Sequence, residues 1–71
     1  MKLKLSKRQF EILEFINQYI SSNGYPPTIR EIGRGVNLSS SSTIHFHLNK
    51  LEKLKYIERE SGKTRAITVL S

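Results

Sequence analysis

Apolar residues recur along this chain at two periods, three-and-four and two, and the change from one to the other separates predicted helices from predicted strands. Phe10, Ile12, Leu13, Phe15, Ile16, Tyr19 and Ile20 lie mostly three and four apart, which makes a broad inward stripe over about four helical turns. Ser6-Lys-Arg-Gln9 ahead of them has capping-box form, and Gly24 offers the left-handed conformation that ends helices, so a first helix is expected over residues of about 7–22. Tyr25-Pro-Pro-Thr28 is an extended entry, because the residue before each proline is driven from the helical region. A second capping box, Thr28-Ile-Arg-Glu31, opens a short helix of about 29–35 whose apolar side is Ile29, Ile32 and Val36. Gly33 and Gly35 are costly inside it, by about 1 kcal/mol each relative to alanine, and close approach to a neighbouring helix or a stop before Asn37 would account for them.

Ile44, Leu48 and Leu51 stand at i, i+4 and i+7 and form the buried stripe of a third helix, expected over about 41–54. Any of the serines from Ser39 to Ser42 could cap it. A turn of about three residues, Asn37-Leu38-Ser39, separates it from the second helix, with Leu38 anchored in the core. The spacing then shortens to a period of two. Residues 56–60 and 66–70 read as strands joined by a turn at Ser61-Gly-Lys-Thr-Arg65, with Ile57, Ile67 and Val69 inward. Leu3 and Leu5 pack beneath the first helix in this arrangement. The pattern as a whole predicts a mainly α fold with a small β-hairpin: one domain over residues 1–71, a three-helix winged helix-turn-helix. The hairpin is then either a wing carrying Lys63 and Arg65 at its tip or a device that only closes the core.

The opposite face of the third helix changes the picture from fold to function. It carries Ser42, Thr43, His45, Phe46, Asn49, Lys50 and Lys53, and no acidic residue. A solvated face would mix glutamate with lysine and would not display Phe46, so the face reads as one that enters a groove of DNA; the competing reading is a surface helix with one stray aromatic. The chain holds 12 Lys and Arg against 6 acidic residues, a net charge of +6, which calls for an acidic partner. The basic side chains are spread over several elements, as phosphates contacted from several directions require.

The candidate chemistry excludes most alternatives. There is no cysteine and no aspartate, and Glu11 and Glu14, at i and i+3 on a polar helix side, are solvating charges rather than a catalytic pair. His45 and His47 are two apart on a helix and point about 200° from each other, so they share no metal. His45 faces outward, and His47 borders the apolar stripe as a packed, hydrogen-bonded histidine. No nucleophile–base pattern or phosphate-cradling glycine loop is present, and no enzyme, cofactor or metal is expected. No apolar run approaches the ~20 residues of a membrane span, and the N-terminus lacks a signal-peptide core, so a soluble cytoplasmic location is expected.

For DNA the parts suffice. Serine and threonine hydroxyls and the free amides at the third helix's start suit phosphates and base acceptors. The Thr43 methyl and the Phe46 ring suit thymine methyls, and Asn49 suits adenine if it reaches deep enough. Lys50, Lys53, Lys63, Arg65, Arg30 and one of Lys7 or Arg8 would hold the backbone. No arginine lies on the outward face of the third helix, so modest affinity is expected from one copy. Two other readings are a winged-helix protein-interaction module docking an acidic partner through the Phe46 face, and an RNA-binding winged helix.

Leu5-Ser-Lys-Arg-Gln9, Gly24-Tyr-Pro-Pro-Thr28, Arg30-Glu-Ile-Gly33, Ser40-Ser-Ser-Thr43, His47-Leu48 and Arg65-Ala-Ile67 resemble the N-terminal DNA-binding domain of bacterial LexA repressors, the Gram-positive type above all. The resemblance runs from about Leu5 to Leu70. It implies an operator half-site reader for SOS damage-response genes, nucleoid-associated, with one domain per half of a palindrome. It also implies a monomeric isolated domain and a homodimeric full-length relative. Carried over by position, Ser40, Ser42, Thr43, His45 and Phe46 would read bases. Backbone contacts would come from Lys7, Thr28, Arg30, Ser41, Asn49, Lys50, Lys53, Lys63 and Arg65. Phe46 departs from the family pattern, standing where a small residue is expected. The self-cleaving serine–lysine half of such repressors does not follow Ser71, so the expectation is an isolated domain of a longer repressor.

Overall fold

A computed structural model describes residues 5–59 and 67–70. Helix α1, Lys7–Asn23, begins where expected because both halves of its capping box close: the Gln9 N–H donates to Ser6 Oγ at 3.2 Å, and the Ser6 N–H donates to Gln9 Oε1 at 3.1 Å. Such a cap contributes about 0.5–2 kcal/mol. The helix runs to Asn23 and stops at Gly24, whose φ of 82° lets its N–H reach back to the Ile20 carbonyl at 2.8 Å.

Ile12 and Ile16 are fully buried, and Leu5, Leu13, Phe15 and Ile20 pack partly buried around them. Phe10 does not join that stripe. It is 53% exposed, while Gln9 is buried in its place. Helical phase explains the correction: Phe10 lies about 200° from Ile12, whereas Gln9 lies within about 60° of it.

Helix α2, Ile29–Gly35, is set by its own closed capping box. The Glu31 N–H donates to Thr28 Oγ1 at 3.2 Å, and the Thr28 N–H donates to Glu31 Oε1 at 2.8 Å. Its glycines are explained by contact. A Cβ on Gly33 would stand 2.7 Å from the Leu38 carbonyl oxygen and 2.9 Å from Ile44 Cδ1, and one on Gly35 would fall 2.1 Å from the Phe15 ring. Only glycine lets α2 lie this close to α3 and α1. Asn37 then turns the chain with φ 61°, a left-handed conformation that asparagine tolerates better than most residues.

Helix α3, Ser41–Lys53, is capped by Ser40, whose Oγ accepts from the Thr43 N–H at 3.3 Å. Ile44, Leu48 and Leu51 are at most 2% exposed, and each contributes about 1.5–3 kcal/mol by leaving water. The helix ends one residue earlier than its pattern predicts, since Lys55 takes a left-handed φ of 68° that no helix continues through. Strands β1, Ile57–Arg59, and β2, Ile67–Val69, pair antiparallel with Ile57 opposite Val69 and Arg59 opposite Ile67. The Leu70 N–H adds a bond to the Tyr56 carbonyl at 2.8 Å. Ile57 and Ile67 are buried and Val69 packs against them, so the hairpin covers the core. The turn that would form the wing tip, with Lys63 and Arg65, lies outside the described residues, as does Leu3. Among the described residues no helix is long and apolar enough to cross a membrane.

Candidate nucleic-acid interface

Burial of Ile44, Leu48 and Leu51 fixes the rotation of α3, and that rotation alone decides what the other face shows. Ser41, Ser42, His45, Phe46, Asn49, Lys50 and Lys53 are exposed, and Thr43 is half-buried. Phe46 is 58% exposed, the largest value among the exposed large apolar side chains. Its ring stands nearly edge-on to His47, centroids 5.4 Å apart, so it leans on α3 instead of entering the core. Ser40 spends its oxygen on capping but keeps a hydroxyl hydrogen to donate. The first turn of α3 has no acidic residue, and Lys50 and Lys53 occupy its last turn. There they also complement the negative end of the helix dipole, which is a structural role independent of any ligand.

Helices α2 and α3 enclose a groove of about 560 Å³. Arg30, Arg34, Ser39, Ser41 and His45 form its polar rim, above a floor that includes Ile29, Gly33 and Ile44. The structure thus brings Arg30, Ser41 and His45 together, and adds Arg34, which the motif reading left out. Thr28 is half-buried and accepts the Glu31 N–H, leaving its hydroxyl hydrogen to donate. Lys7 does not join this groove. It is exposed beside Leu5, Phe10, Leu13 and Tyr56 in a separate depression. Arg8, the alternative to Lys7, is used internally: Nη1 donates to the Val36 carbonyl at 2.8 Å and pairs with Glu11 at 3.1 Å.

His47 is packed as expected, but its Nδ1 is buried without a hydrogen-bond partner among the described residues. Burial pushes its imidazole below the ordinary value, and the positive charge of Arg8 adds to that shift. The hydrogen bond expected for His47 is therefore missing at Nδ1 among the described residues, and desolvation and the Arg8 charge both favour the neutral ring.

One participant escaped the pattern altogether. Arg59, on β1, donates from Nε to Glu52 Oε1 at 3.3 Å and from Nη2 to Asn49 Oδ1. The signal was available: strand alternation puts residue 59 on the same side as Ile57, and an inward-facing charge needs partners.

Comparison with known proteins shows the family to which the chain is similar. The family described as the LexA DNA binding domain matches residues 1–66. The LexA repressor of Geobacillus thermodenitrificans is 58% identical over 67 residues, which are 94% of this chain and 32% of that protein. That of Shouchella clausii is 59% identical over 68 residues, 96% of this chain and 33% of the relative. The chain therefore spans about one third of the length of the relatives it matches.

Proposed function

The chain belongs to the LexA DNA-binding domain family, and from that membership we propose that it reads one half-site of a palindromic operator as part of a repressor of DNA-damage-response genes. In this reading α3 enters the major groove, where each base pair presents a distinct pattern of donors, acceptors and methyl groups. The observation that carries it is the outward face of α3, which presents hydroxyls, an imidazole, an amide and two ammonium groups without one carboxylate. Ser40, Ser42, Thr43, His45 and Phe46 occupy the first two turns, the part of a recognition helix that reaches base edges. Arg30 and Ser41 on the groove rim, with Thr28 at the start of α2, suit phosphates on one side. Lys50 and Lys53 suit phosphates on the other, and Lys63 and Arg65, outside the described residues, supply further basic charge for the backbone.

Selection of bound duplexes from a random library tests the proposal, using two copies of the chain joined by a flexible linker at fixed salt. The expected result is an enriched palindrome, and Ser42→Ala and His45→Ala relax its preference by about 1–3 kcal/mol at single base pairs. Equal retention of enriched and scrambled duplexes would defeat the reading. The exposed ring of Phe46 also fits a protein-docking surface. In that case DNA titration would leave the Phe46 amide signal unmoved.

A further inference from the structure

Arg59 places a charge on a strand position that alternation turns inward, beside Ile57 and opposite Ile67. Its side chain is only 23% exposed and crosses to the far half of α3. There one guanidinium bridges two side chains, Glu52 through Nε and Asn49 through Nη2. Asn49 and Glu52 are three residues apart, hence neighbours on the helix surface. A guanidinium only donates, so the Asn49 amide turns its oxygen toward Arg59 and its NH₂ group away.

We infer that Arg59 is a positioning residue that presents Asn49 to DNA through its NH₂ end, so that Asn49 grips a phosphate oxygen and does not read adenine. The inference rests on the reading that α3 faces DNA. An asparagine that reads adenine uses both ends of its amide, Oδ1 accepting from N6 while Nδ2 donates to N7. Oδ1 keeps a second lone pair, but the bond to Arg59 turns that oxygen toward the hairpin and leaves Nδ2 as the outward end, whose donation phosphate oxygens accept at every step of the duplex. Glu52 gives the guanidinium a reason to stay on α3 instead of moving to the nearest phosphate, since its carboxylate competes for the same charge. The hairpin thereby acts on recognition without touching a base.

Duplex selection with the linked pair tests this through four proteins: the original chain, Arg59→Met, Asn49→Ala and the double variant. Methionine keeps an unbranched stem over the core and supplies no donor. Arg59→Met is expected to gain a preference for adenine of about fivefold or more at one base pair per half-site, and the double variant to lose that gain. Asn49→Ala alone is expected to weaken all duplexes by a similar factor. Unchanged preferences in Arg59→Met, a gain that survives in the double variant, or altered preference in Asn49→Ala each overturn the inference. Should Arg59→Met lose its dispersed amide spectrum, Asn49→Asp carries the test. It keeps an acceptor for Arg59 but has no donor left, so every duplex should weaken alike, and a changed base preference again overturns the inference. Failure of the DNA reading looks different: the original linked pair enriches no sequence, and both conclusions then fall.

Discussion

His47 couples the face of α3 to the core in a way that depends on protonation. Its ring supports Phe46 on one side, and its Nδ1 is enclosed on the other with no partner among the described residues. Burial, then the nearby Arg8 charge, holds the folded-state value below the ordinary 6.5. The unfolded chain therefore binds the proton more readily. The contribution of His47 to stability is fully present above about pH 6.5 and is lost as pH falls through the lowered folded value. The thermal midpoint of the wild-type chain is expected to drop between pH 7 and pH 5, and that of His47→Gln to drop less. Circular dichroism melts at several pH values check it, and parallel slopes in the two proteins would remove His47 as the sensor. His45, exposed on the same helix two residues away, faces the groove rim and is no part of this argument.

At the level of elements, the spacing of α2 from α3 depends on a missing side chain. Gly33→Ala would drive a methyl group to 2.7 Å from the Leu38 carbonyl oxygen, a backbone atom that cannot swing aside. Overpacking of this kind costs about 1–3 kcal/mol, against which alanine returns about 1 kcal/mol of helix propensity. A net loss of stability is therefore expected, read as a lower urea midpoint with unchanged m-value; a midpoint that stays or rises would show that the turn at Asn37 yields. The same two glycines illustrate what the sequence discloses. Their poor helix propensity flagged a close approach, and the two capping boxes and the i, i+4, i+7 stripe fixed all three helices to within a residue. Phe10 is hydrophobic but out of phase with Ile12 and Ile16, so it faces outward and the polar Gln9 takes the inward position. Strand alternation turns Arg59 inward and so calls for partners, but their identity, Glu52 and Asn49, stays hidden because they lie on a helix across the fold, which no periodicity within the strand reveals.

The described residues extend 28 × 24 × 24 Å, which is less than the ~34–36 Å turn that separates the half-sites of a palindrome. On the proposed reading one copy addresses one half-site, and the number of Lys and Arg that reach the backbone sets how many phosphates it neutralises. Affinity at this scale is set by salt. Lys53→Ala, an exposed position at the end of α3, should weaken enriched and scrambled duplexes alike and flatten the plot of log affinity against log salt by about one unit. A Lys53→Ala protein with altered base preference would move that lysine from the backbone to the readout. The two close approaches of α2, Gly33 to α3 and Gly35 to α1, have a practical corollary for anyone redirecting such a domain to new operators. On the proposed reading, docking angle is set by Gly33, Gly35 and Phe15, and base preference by the exposed side chains of α3. A library confined to the exposed positions of α3 would vary the message while the frame that delivers it stays constant, and a library that includes Gly33 would confound the two.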